Sequence, residues 1–229
     1  MKYIWKNSMR RMLLAGIGLL ILCLIFPELT GDTPLNALRA LYGGVPMGRL
    51  IVQSGFFLTF SLLQYCGWLG LSCLLKNETN LLPRYQSRRK LFAALWRFLL
   101  PTDMLFVLVM AAGTLAGLHG SIPAGTLPEL AEISIRGFAE CVFLSGIQLV
   151  FLVRLGEERT AMTMTACAVG MVLFSLSPVR LVWLAPAKTS FPAASLIISV
   201  CLAAGAVMLG RQFYCKEEGI ALWKSVLNR

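Results

Sequence analysis

The feature that most constrains this chain is an uncharged run of 26 residues, 50–75. At about 1.5 Å per residue, a helix of this length crosses the ~30 Å hydrocarbon core of a bilayer. Soluble proteins have helices of about 11 to 12 residues, and about a quarter of their residues are charged. Here 57% of the residues are hydrophobic and 14% are charged, so we expect the chain to fold in lipid. This composition argues against soluble zinc enzymes, Rossmann enzymes and secreted disulfide-rich domains.

Five further apolar runs approach the length of a membrane span, and each predicts a transmembrane helix. They cover residues 12–26, 103–118, 132–153, 161–176 and 192–210. The first run follows a basic start, as in a signal peptide, but no Ala-x-Ala-like cleavage site comes after it, so we interpret it as an anchor. Together with 50–75, these runs predict an all-α polytopic integral membrane protein with six transmembrane helices in a single transmembrane domain, residues 1–229.

The apolar stretch 91–118 is interrupted by Arg97, Pro101 and Asp103. Proline removes a backbone donor and Asp103 can cap a new helix, so we predict a break here. Residues 91–100 would then form a cytoplasmic surface helix, and the third span would begin at Asp103. The alternative is one long kinked helix.

Lysine and arginine residues lie mainly on one side of the predicted bundle. Of 21 such residues, 16 fall in the N-terminal segment, in segment 76–97, in the turn around Arg154 and Arg159, and in the tail from Arg211. Because positive charge is retained on the cytoplasmic side, we predict that the protein lies in the cell membrane with both termini in the cytoplasm. A basic rim next to anionic lipid accounts for the net charge of +10, so no nucleic-acid partner is expected.

Motifs for catalysis or metal binding are scarce in this chain. Its single histidine, His119, cannot supply a multi-histidine metal site, and no Gly-x-x-x-x-Gly-Lys-Ser phosphate loop occurs. Glu157, Glu158 and Arg159 lack the later histidines of membrane CAAX proteases and are interpreted as a solvated turn. The seven cysteines, none in Cys-x-x-Cys spacing, are interpreted as small apolar helix residues. We therefore predict that the chain is not itself an enzyme and binds no cofactor or metal.

A polar stripe is predicted in the fourth span. Glu129, Glu132, Arg136 and Glu140 follow at spacings of three, four and four residues, which places them on one helical face. Arg136 can therefore pair with Glu132 and with Glu140. Ionisable residues are costly inside a membrane, so the intramembrane stripe of Glu132, Arg136 and Glu140 is expected to avoid lipid. Two roles are equal alternatives for this stripe. It forms an internal salt bridge, or it lines an outward vestibule or contacts the partner protomer.

Small residues at four-residue spacing predict two helix-packing faces. Gly113 and Gly117 form Gly-x-x-x-Gly in the third span, and Ser195, Ser199 and Ala203 form a ridge in the sixth. Such residues allow helix backbones to approach closely. We interpret both faces as packing within one chain rather than as a dimer seam.

A basic segment between the second and third spans contains the motif Arg84-Tyr85-Gln86-Ser87-Arg88. Positive charge at this place can simply set the topology. The motif also resembles the Arg-Tyr-x-Ser-Arg-like stretch found in membrane subunits of type-two ABC transporters, especially small Gram-positive exporters. In that family the loop is a coupling helix that docks on the ATP-binding subunit. The resemblance therefore implies ATPase coupling by Arg84, Tyr85, Ser87, Arg88 and Arg89.

The resemblance extends to the organisation of the whole chain. The family has six spans, a basic surface helix and a short outer re-entrant helix between spans five and six. Residues 177–186 form an apolar, proline-bounded stretch at that position, too short to span the membrane. Membership implies a permease subunit that exports an amphipathic substrate, such as a peptide, an antimicrobial or a lipid-like compound. It would form a homodimer or a heterodimer with a related permease, and ATP and magnesium would bind the separate ATP-binding subunit.

Two other functions fit the same six-helix expectation. One is a substrate-binding subunit similar to the S components of vitamin importers, which would hold a small ligand within one chain. The other is a non-transporting membrane immunity or scaffold protein, which would act without an ATPase. Co-purification with an ATP-binding subunit, or retention of a ligand by the purified chain, would discriminate among these functions.

Overall fold

Helices make up most of the structure, a computed structural model that describes residues 2–42, 50–76, 83, 85, 87–118, 125–176 and 192–215. This part of the chain contains seven α-helices and no strand. The helices are α1 (Lys2–Thr30), α2 (Pro34–Leu41), α3 (Leu50–Lys76), α4 (Arg88–Ala116), α5 (Thr126–Leu155), α6 (Glu157–Leu176) and α7 (Pro192–Cys215). The predicted all-α fold is therefore confirmed.

Four helical segments are long and apolar enough to cross a bilayer. They are Met9–Thr30 within α1, Arg88–Ala116, Thr126–Leu155 and Leu196–Cys215 within α7. Helices α3 and α6 cover the other two predicted spans, 50–75 and 161–176, with lengths of 27 and 20 residues. Crossing by α3 and α6 stays a prediction, and the re-entrant helix predicted at 177–186 lies outside the described residues.

The outer surface of the bundle is apolar. On α1, Leu13 is 56% exposed, Leu14 is 60% exposed and Ile21 is 48% exposed. On α7, Ile197 and Met208 are 62% and 66% exposed. A continuous surface of this kind would drive association in water but is the ordinary outer face of a helix in lipid. The exposed side chains thus agree with a membrane-embedded protein.

Helices α1 and α3 run in opposite directions, and so do α4 and α7. Gly55 near the start of α3 lies against the ring of Phe26 near the end of α1. Phe92 at the start of α4 contacts Tyr214 at the end of α7, with ring centroids 6.0 Å apart. Basic residues of several helices therefore meet at one end of the bundle, here called the basic end: Arg10, Arg11, Arg88, Arg89, Lys90, Arg154, Arg159 and Arg211.

The opposite end is covered by the short helix α2, which contacts α1, α3, α4 and α5. Thr33 precedes this helix in an extended conformation, and its hydroxyl accepts a hydrogen bond from the Asn36 amide at 3.4 Å. Pro34 occupies the first turn, where its missing N–H costs nothing. Apolar residues of α2, among them Leu38 and Leu41, are buried in the common core. Sequence analysis overlooked α2, although Thr-Pro is a helix-start signal.

Helix α4 corrects the predicted break at Pro101. Residues 88–116 form one continuous helix with Pro101 inside it, so the alternative of one long helix was right. The Thr102 hydroxyl donates to the Phe98 carbonyl at 2.8 Å, next to the site where proline lacks an N–H. Asp103 is not a helix cap: it is buried and accepts a hydrogen bond from the Ser145 hydroxyl of α5 at 3.3 Å.

Residues 91–100, predicted as a separate surface helix, instead pack into the core through one face of α4. Leu91, Leu95 and Leu99 are each 1% exposed or less, and Trp96 is 6% exposed. Arg97 on the opposite face is exposed. Burial against several helices stabilises the continuous helix, which outweighs the local cost of a proline.

The predicted packing faces have different partners. At Gly113, an added Cβ would lie 2.9 Å from the Cys23 Cβ, so this glycine allows α4 to approach α1. Gly117 instead ends α4, and its N–H donates to the Gly113 carbonyl at 3.0 Å.

On α7, Ser199 and Ala203 are buried, while the Ser195 side chain lies outside the described part. Ala206, one turn further along α7, lies against Gly146 of α5. The ridge on α7 therefore lies on the side of the helix that packs within the chain.

Candidate functional site

The basic end contains most of the residues to which the resemblance assigned ATPase coupling. Ser87 is extended at φ −157° and caps α4, its hydroxyl accepting from the Lys90 amide at 3.2 Å. Arg89 is exposed, whereas Arg88 is half-buried. Tyr85 is half-buried and packs against the core. Arg84 lies outside the described residues, so its position relative to the other four is a prediction.

Aromatic contacts connect the first turns of α4 to the end of α7. The Phe92 ring lies 6.0 Å from the Tyr214 ring and 6.1 Å from the Trp96 ring, measured between centroids. On the neighbouring helix α5, the Arg154 guanidinium carbon sits 4.4 Å from the centroid of Phe213. Such contacts add to the burial of each ring. The start of α4 is therefore fixed to the body of the bundle.

The polar stripe of α5 lies at the opposite end. Arg136 Nη2 is 2.6 Å from Glu132 Oε1, as the four-residue spacing predicts. The Arg136 side chain is 8% exposed, and that of Glu132 is 41% exposed. Glu140, one turn further along α5, lines the same small cavity as Glu132 and Arg136. The guanidinium is thus placed inside the protein.

Helix α2 supplies the other wall of this small cavity. Arg39 Nη2 lies 2.6 Å from Glu129 Oε1, so Glu129 forms an ion pair across helices. The Tyr42 ring packs on Gly137, where an added Cβ would lie 2.5 Å from the ring. Burial raises the pKa of the Tyr42 phenol well above its usual value, and its hydroxyl has no hydrogen-bond partner. The sequence offered no signal for the Arg39–Glu129 contact, because 90 residues separate the partners.

A second polar region lies between α3 and α5, in the interior of the bundle. Gln148 of α5 donates from Nε2 to the Gln64 carbonyl of α3 at 3.2 Å. Gly67 makes room for it, because an added Cβ would lie 3.0 Å from Gln148 Oε1. Amide side chains commonly form such hydrogen bonds between membrane helices.

An apolar cleft of about 250 Å³ opens beside these glutamines, between α3, α5 and α6. Its walls include the aromatic side chains of Phe57, Phe60, Tyr65 and Trp68, together with Met164 of α6. Sequence analysis did not single out this cleft. Its signal was present as two glutamines, Gln64 and Gln148, inside otherwise apolar runs.

Metal binding finds no support among the described residues, where no three histidine, cysteine, aspartate or glutamate side chains come together. Of the seven cysteines, the five whose side chains the structure describes are free: Cys23, Cys141, Cys167, Cys201 and Cys215.

Comparison with known proteins identifies no relative of this chain. It matches no protein-family model, no curated protein and no solved structure. The function must therefore be argued from the residues and their geometry.

Proposed function

We propose that this chain is the permease subunit of an ABC exporter in the cell membrane, with its basic end in the cytoplasm. A separate subunit binds and hydrolyses ATP with magnesium, and the chain pairs with itself or with a related permease. The substrate is amphipathic, as expected for a peptide, an antimicrobial or a lipid-like compound.

Residues 91–100 do not form the separate surface helix of the family pattern, and the observation that supports the proposal is instead the continuity of α4. Its 29 residues give a helix about 43 Å long. The exposed Arg89 is in its first turn, and Asp103, near its middle, reaches Ser145 of α5. A rigid helix of this kind transmits a displacement at one end to the helices packed along it. ATP-driven movement of a docked subunit at the basic end would thus reach the interior of the bundle.

The cleft between α3, α5 and α6 favours a second candidate, a substrate-binding membrane subunit. That function needs a ligand site within one chain, and the cleft lies within one chain. A permease dimer would instead carry its substrate between protomers. Co-purification with an ATPase does not separate these two candidates, but substrate export by a reconstituted complex does.

Co-purification tests the ATPase coupling directly. The tagged chain is isolated from its native membranes in mild detergent, and ATPase activity is measured in the eluate. We expect activity with the wild-type chain and at least a tenfold loss with Arg84→Glu/Arg89→Glu. Arg10→Glu/Arg11→Glu is the matched control, since it makes the same charge change at the same end and should retain the activity.

Two results contradict the proposal. One is an eluate of the wild-type chain without ATPase activity. The other is full ATPase activity with the Arg84→Glu/Arg89→Glu variant present at wild-type amounts in the membrane.

A further inference from the structure

The walls of the cleft between α3, α5 and α6 contain three polar atoms that have no hydrogen-bond partner. They are Gln64 Oε1, Trp68 Nε1 and Gln148 Oε1. Buried polar groups in proteins are nearly always paired, and leaving one unpaired is unfavourable. Three such atoms around one cleft are therefore an exception that calls for a physical reason.

We propose that this cleft is a binding site for a small neutral amphiphile with an amide or hydroxyl head and an apolar body. The two glutamine oxygens accept hydrogen bonds, and the Trp68 indole N–H donates one. A primary amide head has two N–H donors and a carbonyl acceptor, so it can satisfy all three atoms, whereas a hydroxyl head has one donor and satisfies the indole and one glutamine oxygen. The inference goes beyond the proposed permease function, and for the second candidate it names the class of ligand.

The residues have both fixed and adjustable parts. Gln148 is 4% exposed and is held by its hydrogen bond to the Gln64 carbonyl. Gln64 and Trp68 are only half-buried, so their side chains have room to turn toward a ligand head. Gln148 therefore orients the head group of the ligand, while Gln64 and Trp68 can adjust to head groups of different shape.

The remaining lining residues and the volume of the cleft determine which charge and size of ligand it accepts. Among the described residues, the walls contain aromatic and aliphatic side chains with Ser61 and Thr165, and no aspartate, glutamate, lysine, arginine or histidine. A charged head would lose its hydration there without gaining a partner, which is unfavourable. The volume of about 250 Å³ is just below the ~300 Å³ at which ordinary small-molecule sites begin, so the cleft takes one compact molecule or the head of a longer one.

A similar groove elsewhere in the bundle provides an internal comparison. It lies between α1 and α4, has a volume of about 280 Å³, and is lined by apolar residues such as Ile17 and Phe106. Its walls contain none of the unpartnered polar atoms. Lipid chains can fill both spaces, but only the α3–α5–α6 cleft should select for a polar head.

The test measures binding of 4-butylbenzamide to the purified full chain in nanodiscs, with empty nanodiscs to subtract partitioning into lipid. We expect saturable binding of about one molecule per chain. Butylbenzene, which lacks the head, and 4-butylbenzoate, which is charged, should bind at least about tenfold more weakly.

Variants locate the site. Gln148→Leu and Trp68→Phe should each weaken amide binding at least about tenfold while leaving butylbenzene binding unchanged. Trp68→Phe keeps an aromatic ring and removes only the donor, so it is the more selective change. Ala161→Phe, at an exposed position in the cleft wall, should block both compounds. Ile17→Phe in the α1–α4 groove is the control and should change neither.

Three outcomes overturn the inference: no saturable binding of the amide, equal binding of the amide and butylbenzene, or unchanged amide binding in the Gln148→Leu and Trp68→Phe variants. The second outcome means that the cleft holds only lipid chains. Because the test needs no ATPase, it can fail while co-purification succeeds, or the reverse. The two proposals can therefore be rejected separately.

Discussion

At Gly146, the absence of a side chain allows α5 to lie against the backbone of α7. A Cβ here would be 2.9 Å from the carbonyl carbon of Ala206, an atom that cannot move without its helix. We expect Gly146→Ala to lower the free energy of unfolding by about 1–3 kcal/mol, measured by denaturation in detergent. Gly205→Ala is the matched control on α7, where an added Cβ meets nothing within 4 Å. Equal stability of the two variants would argue against this helix contact.

Arg136 illustrates how burial changes the value of an ion pair. Arg136→Gln removes the guanidinium that pairs with Glu132, and we expect the free energy of unfolding to fall by about 2–3 kcal/mol, since Glu132 is partly exposed. The more exposed Arg39–Glu129 pair gives the comparison, because Arg39→Gln should cost about 0–1 kcal/mol. Both losses are measured from the same unfolding curves. A larger loss for Arg39→Gln than for Arg136→Gln would contradict the conclusion that the Arg136 ion pair contributes more because it is more deeply buried.

At the residue scale, sequence analysis could predict contacts within one helix but not those between helices. The Glu132–Arg136 pair follows from the periodicity of a single helix and is present. Arg39–Glu129 and Gln64–Gln148 depend on which helices become neighbours, which spacing along the chain does not encode. The cleft was missed for the same reason, because its walls come from α3, α5 and α6.

At the scale of elements, α4 shows where a local rule gives way to packing. A proline followed by a capping residue usually ends a helix, and that rule predicted a break at Pro101. In the structure, Thr102 bonds the preceding turn, and Asp103 bonds Ser145 of α5 instead of capping a helix. The ends of α3 at Lys76 and of α6 at Leu176 agree with the apolar runs, whereas α1 begins at Lys2, well before its run. Hydropathy therefore predicted the helices better than their internal breaks.

The start of α4 depends on a cap that can be tested separately from ATPase coupling. Ser87→Ala removes the hydrogen bond to the Lys90 amide and should destabilise the first turn by about 1 kcal/mol. Hydrogen exchange at the amides of Lys90 and Leu91, which donate to the Ser87 hydroxyl and carbonyl, should rise severalfold. Ser87→Asp, which keeps a cap acceptor, should restore protection. Faster exchange in Ser87→Asp as well would mean that the hydroxyl is not the cap.

At the scale of the whole molecule, charge and packing divide the bundle into two unlike ends. Arginine and lysine residues of α1, α4, α5, α6 and α7 gather at the basic end. The opposite end is covered by α2, where two ion pairs, Arg39–Glu129 and Glu132–Arg136, accompany the buried Tyr42. Since positive residues favour the cytoplasmic side, the polarity of the fold makes a definite prediction for its orientation.

The most direct test of this account labels the two ends in intact cells with a membrane-impermeant maleimide. Arg89→Cys at the basic end and Asp32→Cys beside α2 are placed singly in a chain whose seven native cysteines are replaced. Both positions are exposed, and of the helices α2 and α3, which lie between them along the chain, α3 is the one with 27 residues. We predict that Asp32→Cys reacts in intact cells and Arg89→Cys reacts only after permeabilisation. Reaction of Arg89→Cys in intact cells, or of both variants from the same side, would contradict the account.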